Sequence, residues 1–441
     1  MSENKKRQDI IENKAAQQEA YQDLPSEIVD KLEWFQDQKL GIIFHWGLYS
    51  QAGIVESWQL SKEDGWARKH GAWRSDLTTL RHDYWNLNRE FNPVKFNPND
   101  WAKAAKDAGF KYMLFTTKHH DGFNMYDTSY SDYKITAADS VFHTNPQADL
   151  LKYVNNAFRK EGIATGAYYS KADWHSPFYW EPNSDPQGRY ASYDPEEKPE
   201  LWHQFQQFVE NQLLEICQNY GPIDILWLDA GWVNSMHHEQ LPMDEIAQKI
   251  WQIKPDTLIV DRTIGGKYEN YVTPEQKIPT VPPKKVWESN LTLAKNWGYV
   301  PNDQYKSFVE ILSSIVKIIS LGGNVILGVG PKPDGTLPEP ALALMKQLGE
   351  WLKVFGEAVY STRGCPEYAK NQLYLTKKDG NHYLFYEQQQ GGEQKSLADL
   401  AFLYESVENL ETKENIQSSD SRITLPETAF PFGVLKLKAD K

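Results

Sequence analysis

The sequence predicts an α/β fold: a (β/α)8-type, TIM-like barrel followed by a small C-terminal β-sandwich-like domain. Three observations carry this expectation. Short apolar runs alternate with helical stretches about seven times over roughly 300 residues, the signature of a parallel sheet. Neither GxGxxG after a strand nor GxxxxGK[ST] occurs, so no nucleotide fingerprint supports an open, doubly wound sheet. Beyond residue 357 the texture changes to short alternating runs around an Asp379-Gly380 turn, a hairpin signal.

The expected strands are 40–46, 112–118, 164–169, 224–229, 257–261, 285–288 and 324–329. Most are continuous apolar runs, as in strands covered on both faces. Between them, 99–109, 148–161, 199–219, 243–253 and 305–321 space their apolar residues by three and four, and another helix is expected near 337–356. The first of these starts at an Asn/Asp cap and stops at Gly109. The chain thus divides into a polar extension over 1–25, expected to be a frayed helix, a barrel over 26–357, and a β domain over 358–441. That last domain is expected to have a structural role, covering the barrel.

Composition narrows the function. The 441 residues carry 47 basic and 60 acidic side chains, a net charge of −13, with no long basic tract; nucleic acid and anionic membrane surfaces are not expected partners. No apolar stretch is long enough to span a bilayer. The polar N-terminus lacks an apolar signal core, and two cysteines cannot form a disulfide framework, so a cytoplasmic location is expected. Aromatic residues reach 13%, with 16 Trp, which suits a large core, sugar-stacking surfaces, or both. Oligomeric state is not readable, and a homo-oligomer stays open.

In such barrels chemistry sits at the C-terminal ends of the strands. There the sequence delivers His45-Trp46, His119-His120-Asp121, Tyr168-Tyr169-Ser170, Asp229 with Trp232, and Asp261-Arg262, followed by Glu275 and Glu288 as further carboxylates. His45, His119, His120 and an Asp would suit a metal, but adjacent histidines on a strand should face opposite ways, so no metal or other cofactor is expected. Nucleophilic Ser or Cys chemistry finds no GxSxG and no cysteine at a strand end near a His. A carboxylate pair for glycoside hydrolysis fits best, with Asp229 as nucleophile amid aromatic platforms. The bland alternative, Asp229 as a helix cap, leaves Trp227 and Trp232 unexplained.

These residues fall in segments that resemble the α-L-fucosidases of glycoside hydrolase family 29. The resemblance covers roughly 30–365 and rests on KLGIIFHWGLYS (39–50), FNPNDWAKAAKDAGFKYMLFTTKHHDGF (96–123), LWLDAGW (226–232), VDRTIGG (260–266), YVTPEQ (271–276) and WESNLTLAKNWGY (287–299). It implies a retaining exo-α-L-fucosidase with Asp229 as nucleophile. His45, His119, His120, Tyr169 (or Tyr168) and Arg262 would bind the fucose hydroxyls. Trp58 matches the family's pair after HWG, while Glu56 stands one place away from an adjacent Glu-Trp. Trp297 would pack near the C6 methyl, and Trp46 and Trp232 would add aromatic surface. Glu275, on a Pro/Thr/Gly-rich loop over 263–283, is the preferred general acid/base, with Glu288 as the alternative. YVTPEQ together with WGY resembles the branch preferring α1,3- or α1,4-linked fucose on oligosaccharides or glycoconjugates. Broader α1,2 or α1,6 preference, another retaining barrel glycosidase, and a non-catalytic sugar-binding barrel remain the competing readings.

Overall fold

The computed structural model describes residues 19–21, 23–69, 71–401, 403–419 and 422–438. The helix expected over 1–25 lies mostly outside them. Seven parallel strands form the central sheet: β1 (Leu40–Phe44), β2 (Tyr112–Lys118), β3 (Ala164–Ser170), β4 (Ile225–Asp229), β5 (Leu258–Asp261), β6 (Glu288–Thr292) and β7 (Asn324–Val329), in the order β5-β4-β3-β2-β1-β7-β6. The helices of the barrel region in chain order are α1 (Ser26–Gln38), α2 (Leu48–Ala52), α3 (Leu77–Trp85), α4 (Pro98–Asp107), α5 (Leu150–Lys160), α6 (Pro199–Asn219), α7 (Met243–Ile253), α8 (Phe308–Ser320) and α9 (Glu339–Phe355). None of the described helices is long and apolar enough to cross a membrane.

Local chemistry sets these boundaries. Asn97 caps α4 through the Asn99 amide with Pro98 at the first helical position, and Ser307 and Glu310 form a reciprocal capping box on α8. Strand residues alternate between two apolar layers. Ile43, Leu114, Tyr168, Trp227 and Val260 point into the barrel, whereas Ile42, Phe44, Phe115, Tyr169, Leu226 and Leu228 pack outward under the helices. Ile28, Leu32 and Phe35 of α1 belong to the inner layer, and Phe35 stacks on Tyr271 with ring centroids 4.3 Å apart. This helix therefore packs against the interior of the barrel.

Among the described residues the barrel sheet has seven regular strands, because the stretch 268–276 fills the gap between edge strands β5 and β6. Asp261 N donates to Tyr268 O and Asn270 N to Ile259 O on one side. On the other, Val272 N donates to Val286 O, Glu288 N to Val272 O, Asn290 N to Pro274 O and Gln276 N to Asn290 O, all at 2.9–3.0 Å. Pro274 has no N–H to give, which keeps this run from becoming a regular strand.

The expected strand at 285–288 is displaced. β6 begins at Glu288, which pairs with Asn324, the first residue of β7. Glu288 thus enters at the N-terminal end of its strand, away from the end where a barrel does its chemistry.

The C-terminal region forms a six-stranded antiparallel sheet and a three-stranded one. In the larger, β8 (Arg363–Gly364), β9 (Tyr374–Lys378) and β10 (Asn381–Glu387) are consecutive in the chain. The predicted turn joins β9 to β10, with φ of 49° at Asp379 and 79° at Gly380, the positive pair a tight two-residue hairpin requires. Trp351 of α9 donates to Phe432 O at 2.8 Å, tying this region to the barrel.

Candidate active site

At the C-terminal end of the strands lies a cavity of about 330 Å³. Of the residues singled out in the sequence, His45, Glu56, Trp58, His119, His120, Asp229, Trp232, Arg262, Glu275 and Trp297 line it.

Arg262 organises its floor. Nη1 donates to Asp229 Oδ1 at 2.6 Å, Nη2 to Glu275 Oε2 at 2.8 Å, and Nε to Thr273 Oγ1 at 3.0 Å, while the guanidinium lies 4.2 Å from the Trp227 ring. The Tyr168 hydroxyl donates to the other Asp229 oxygen at 2.6 Å. Burial alone would raise the Asp229 carboxyl, but the Arg262 guanidinium, with the Tyr168 hydroxyl, outweighs it and holds it well below the usual carboxylate range. Asp229 is therefore an ionised carboxylate at any working pH. Its neighbour Gly231 has no room for a side chain: a Cβ there would lie 1.7 Å from Thr263 Oγ1.

The histidines are held neutral. Burial pushes His45 and His119 well below their ordinary value and takes His120 down to about 3. Ser170 directs its hydroxyl hydrogen to Ala172 O at 2.7 Å, so at the 2.7 Å contact with His120 Nδ1 the ring must donate. That leaves Nε2 of His120 as an acceptor for a ligand hydroxyl. His119 Nδ1 lies 2.6 Å from Ser57 Oγ, which fixes its ring.

Contrary to expectation, His119 and His120 do not face opposite ways; their ring centroids are 3.9 Å apart and both line the cavity. Alternation stops because β2 ends at Lys118 and the chain turns, Gly122 N donating to His119 O at 3.1 Å with Gly122 at φ +77°. With Asp229 the two histidines offer ligand atoms within 4.8 Å of one another, a set able to hold a metal. Both Asp229 oxygens, however, already accept from Arg262 and Tyr168, an arrangement that suits a free carboxylate.

Three sequence assignments need correction. Tyr168, not Tyr169, reaches the cavity; Tyr169 points outward and its hydroxyl donates to Gln212 of α6 at 2.9 Å. Trp46 lies outside the cavity, packed on Phe91, Phe96 and Trp101, with its indole N–H on Lys332 O at 3.1 Å. Glu288 is fully buried in the barrel, where Oε2 accepts from the Tyr112 hydroxyl at 2.6 Å, and it does not line the cavity.

Burial pushes Glu288 up to about 8 from its ordinary 4.5, so between those values the folded chain holds a proton that the unfolded chain has released. Such a group subtracts stability increasingly as pH rises through that window. Glu288→Gln should accordingly gain Tm over the parent progressively from about pH 5 to about pH 8. A Tm offset independent of pH would show that Glu288 is ionised in the fold.

Glu56 is a true cavity residue despite its displaced position. It adopts φ +34°, and its Oε1 accepts from Gly298 N at 2.8 Å. Burial drives its carboxyl up to about 7, so below neutrality it is a proton-bearing donor. Glu275 is more open, its side chain 43% exposed, and Trp297 Nε1 donates to Glu275 Oε1 at 3.2 Å.

A family model described as alpha-L-fucosidase matches residues 9–357. This chain belongs to the α-L-fucosidase family. It is 28% identical over 343 residues to human plasma α-L-fucosidase, covering 75% of this chain and 69% of that protein. It is similar to the Thermotoga maritima α-fucosidase solved in complex with fucose, at 25% identity and TM-score 0.73 over 95% of this chain and 100% of that one. It also shares the fold of a Bacteroides thetaiotaomicron family 29 α-L-fucosidase trapped as a covalent intermediate, at 23% identity and TM-score 0.74 over 95% and 97% of the two chains. The chain is thus a glycoside hydrolase of the α-L-fucosidase type.

The fucosidase cavity also contains residues that sequence reasoning missed. Trp227 could have been found by strand alternation, two positions before Asp229 on the same face of β4. Arg189 could not. It comes from the irregular segment between β3 and α6, with no motif to mark it. Its guanidinium lies 4.6 Å from the Trp58 ring and 5.0 Å from Trp232, and it pairs with Asp64. Its carbonyl accepts from Trp174, Tyr179 and Trp232, so the backbone of this loop is pinned at the fucosidase rim.

Proposed function

We propose that this α-L-fucosidase is a retaining exo-enzyme that releases terminal α1,3- or α1,4-linked L-fucose from oligosaccharides or glycoconjugates through a covalent fucosyl-enzyme. The observation that carries the reading is the single guanidinium of Arg262, which contacts Asp229 and Glu275 through its two terminal nitrogens. Sharing one guanidinium keeps the two carboxyl groups on one side of the cavity as neighbours, as the close pair of a double displacement requires. The covalent intermediate trapped in the Bacteroides relative is in keeping with it.

In this mechanism Asp229 attacks C1 while Glu275 protonates the departing oxygen. Glu275 then takes a proton from the water that opens the fucosyl ester. Arg262 and the Tyr168 hydroxyl keep Asp229 ionised for attack and steady the charge it regains on release. The neutral rings of His45, His119 and His120 and the protonated Glu56 exchange hydrogen bonds with the sugar hydroxyls. Trp297 offers an apolar wall for the C6 methyl, and Trp58 and Trp232 a platform at the mouth. The pairing of YVTPEQ with WGY supports the α1,3/α1,4 preference.

The test is turnover of an α1,3- or α1,4-fucosylated trisaccharide followed by proton NMR. First-formed fucose should be the α-anomer, mutarotating afterwards. First-formed β-fucose would overturn retention, and faster release from α1,2- or α1,6-linked substrates would overturn the linkage.

A further inference from the structure

The backbone ladder between 270–276 and 286–290 alternates sides every two residues: Val272 N to Val286 O, Glu288 N to Val272 O, Asn290 N to Pro274 O, Gln276 N to Asn290 O. Continued one step toward the bottom of the barrel, this alternation calls for a bond from Val286 N to Asn270 O. The Tyr21 hydroxyl stands in that rung. It accepts from Val286 N at 2.9 Å and donates to Asn270 O at 2.9 Å.

Glu19 fastens the same loop two residues earlier in the chain. Its carboxylate accepts from Gly266 N at 2.7 Å and from Lys285 Nζ at 3.4 Å, and Lys285 in turn donates to Gly266 O at 2.8 Å. The loop thus secured carries left-handed backbone of its own, at a strain cost for the non-glycine residues Thr263 and Gln276 and freely at Gly265 and Gly266. Nothing in it is a regular helix or strand, so its geometry depends on such external ties.

We propose that Tyr21, assisted by Glu19, is a positioning residue for catalysis: its hydroxyl completes the ladder whose other end carries Glu275. Slack at the Val286–Asn270 rung passes along the ladder to Thr273, which holds Arg262 Nε, and to Glu275, which must reach the leaving oxygen. The inference rests on Glu275 being the general acid. Because proton delivery is the step that depends on that reach, the loss should follow how much protonation a leaving group needs.

Tyr21→Phe keeps the ring and removes only the bridging oxygen. Its kcat/KM on a fucosylated trisaccharide should fall roughly three- to tenfold, the span of one neutral hydrogen bond, with less than about twofold change on an activated aryl fucoside. Adding Tyr21→Phe to Glu275→Ala should produce no further selective loss on the trisaccharide. A brace with only a structural role would instead lower Tm and depress both substrates alike, and that result would overturn the proposal. So would equal kcat/KM values for Tyr21→Phe and the parent on the trisaccharide. Glu275→Ala measured alone separates the failures. If it discriminates by leaving group and Tyr21→Phe does not, only the positioning role falls; if Glu275→Ala does not discriminate, the acid assignment falls and this proposal with it.

Discussion

Asp229→Ala is expected to keep binding fucosides while losing about three or more orders of magnitude in kcat, a barrier increase of ~4 kcal/mol or more. The loss should be this large because no neighbouring group can substitute. Tyr168 and the histidines are neutral donors and acceptors, Arg262 is a cation, and the two other cavity carboxyls are held elsewhere, Glu275 by Arg262 Nη2 and Trp297 and Glu56 by Gly298 N. The fold should tolerate the change, since Arg262 keeps Glu275 and Thr273 as partners. Azide added to the variant can occupy the space of the missing carboxylate and attack C1 directly. The expected product is β-fucosyl azide, formed with one inversion. An active variant without azide would mean that Asp229 is not the nucleophile.

Glu275→Ala should separate substrates by their leaving groups. On a trisaccharide, whose departing alkoxide needs a proton, kcat/KM should drop by about 10²–10⁴, the usual worth of general acid catalysis. On an aryl fucoside with an acidic phenol, kcat/KM should change little. Turnover there would still be slow, because water attacking the fucosyl-enzyme has lost its base, and azide should relieve that step to give α-fucosyl azide. The opposite azide anomers from the two variants distinguish the two roles. If Glu288→Ala rather than Glu275→Ala shows the leaving-group dependence, the acid has been misassigned. The burial of Glu288 beside Tyr112, away from the cavity, argues against that outcome.

Much of this was legible in the residues themselves. Continuous apolar runs marked six of the seven barrel strands to within about two residues, because strands sandwiched between a core and a helix layer cannot afford polar faces. The misplaced strand shows the limit of that logic. Val286 and Trp287 look like strand residues and do pair, but with Val272 across the irregular 268–276 segment, so the regular strand starts only at Glu288. A carboxylate that read as sitting at a strand end therefore sits at a strand beginning, inside the barrel.

Sequence by itself pointed to most of the chemical groups that line the cavity at the top of the barrel, though not Arg189, since composition at strand ends and the spacing of HWG, KHHDGF and WLD are local properties. Only the tertiary structure decided which member of each adjacent pair does the contacting. Side-chain direction flips with every residue of a strand and resets wherever the strand stops, so Tyr168 faces Asp229 while Tyr169 faces α6, and His119 and His120 come to share one cavity. Contacts between segments far apart in the chain leave no local trace at all. Arg189 between two tryptophans, and Tyr21 standing in a rung of the ladder that ends at Glu275, exist only because folding brings those segments together.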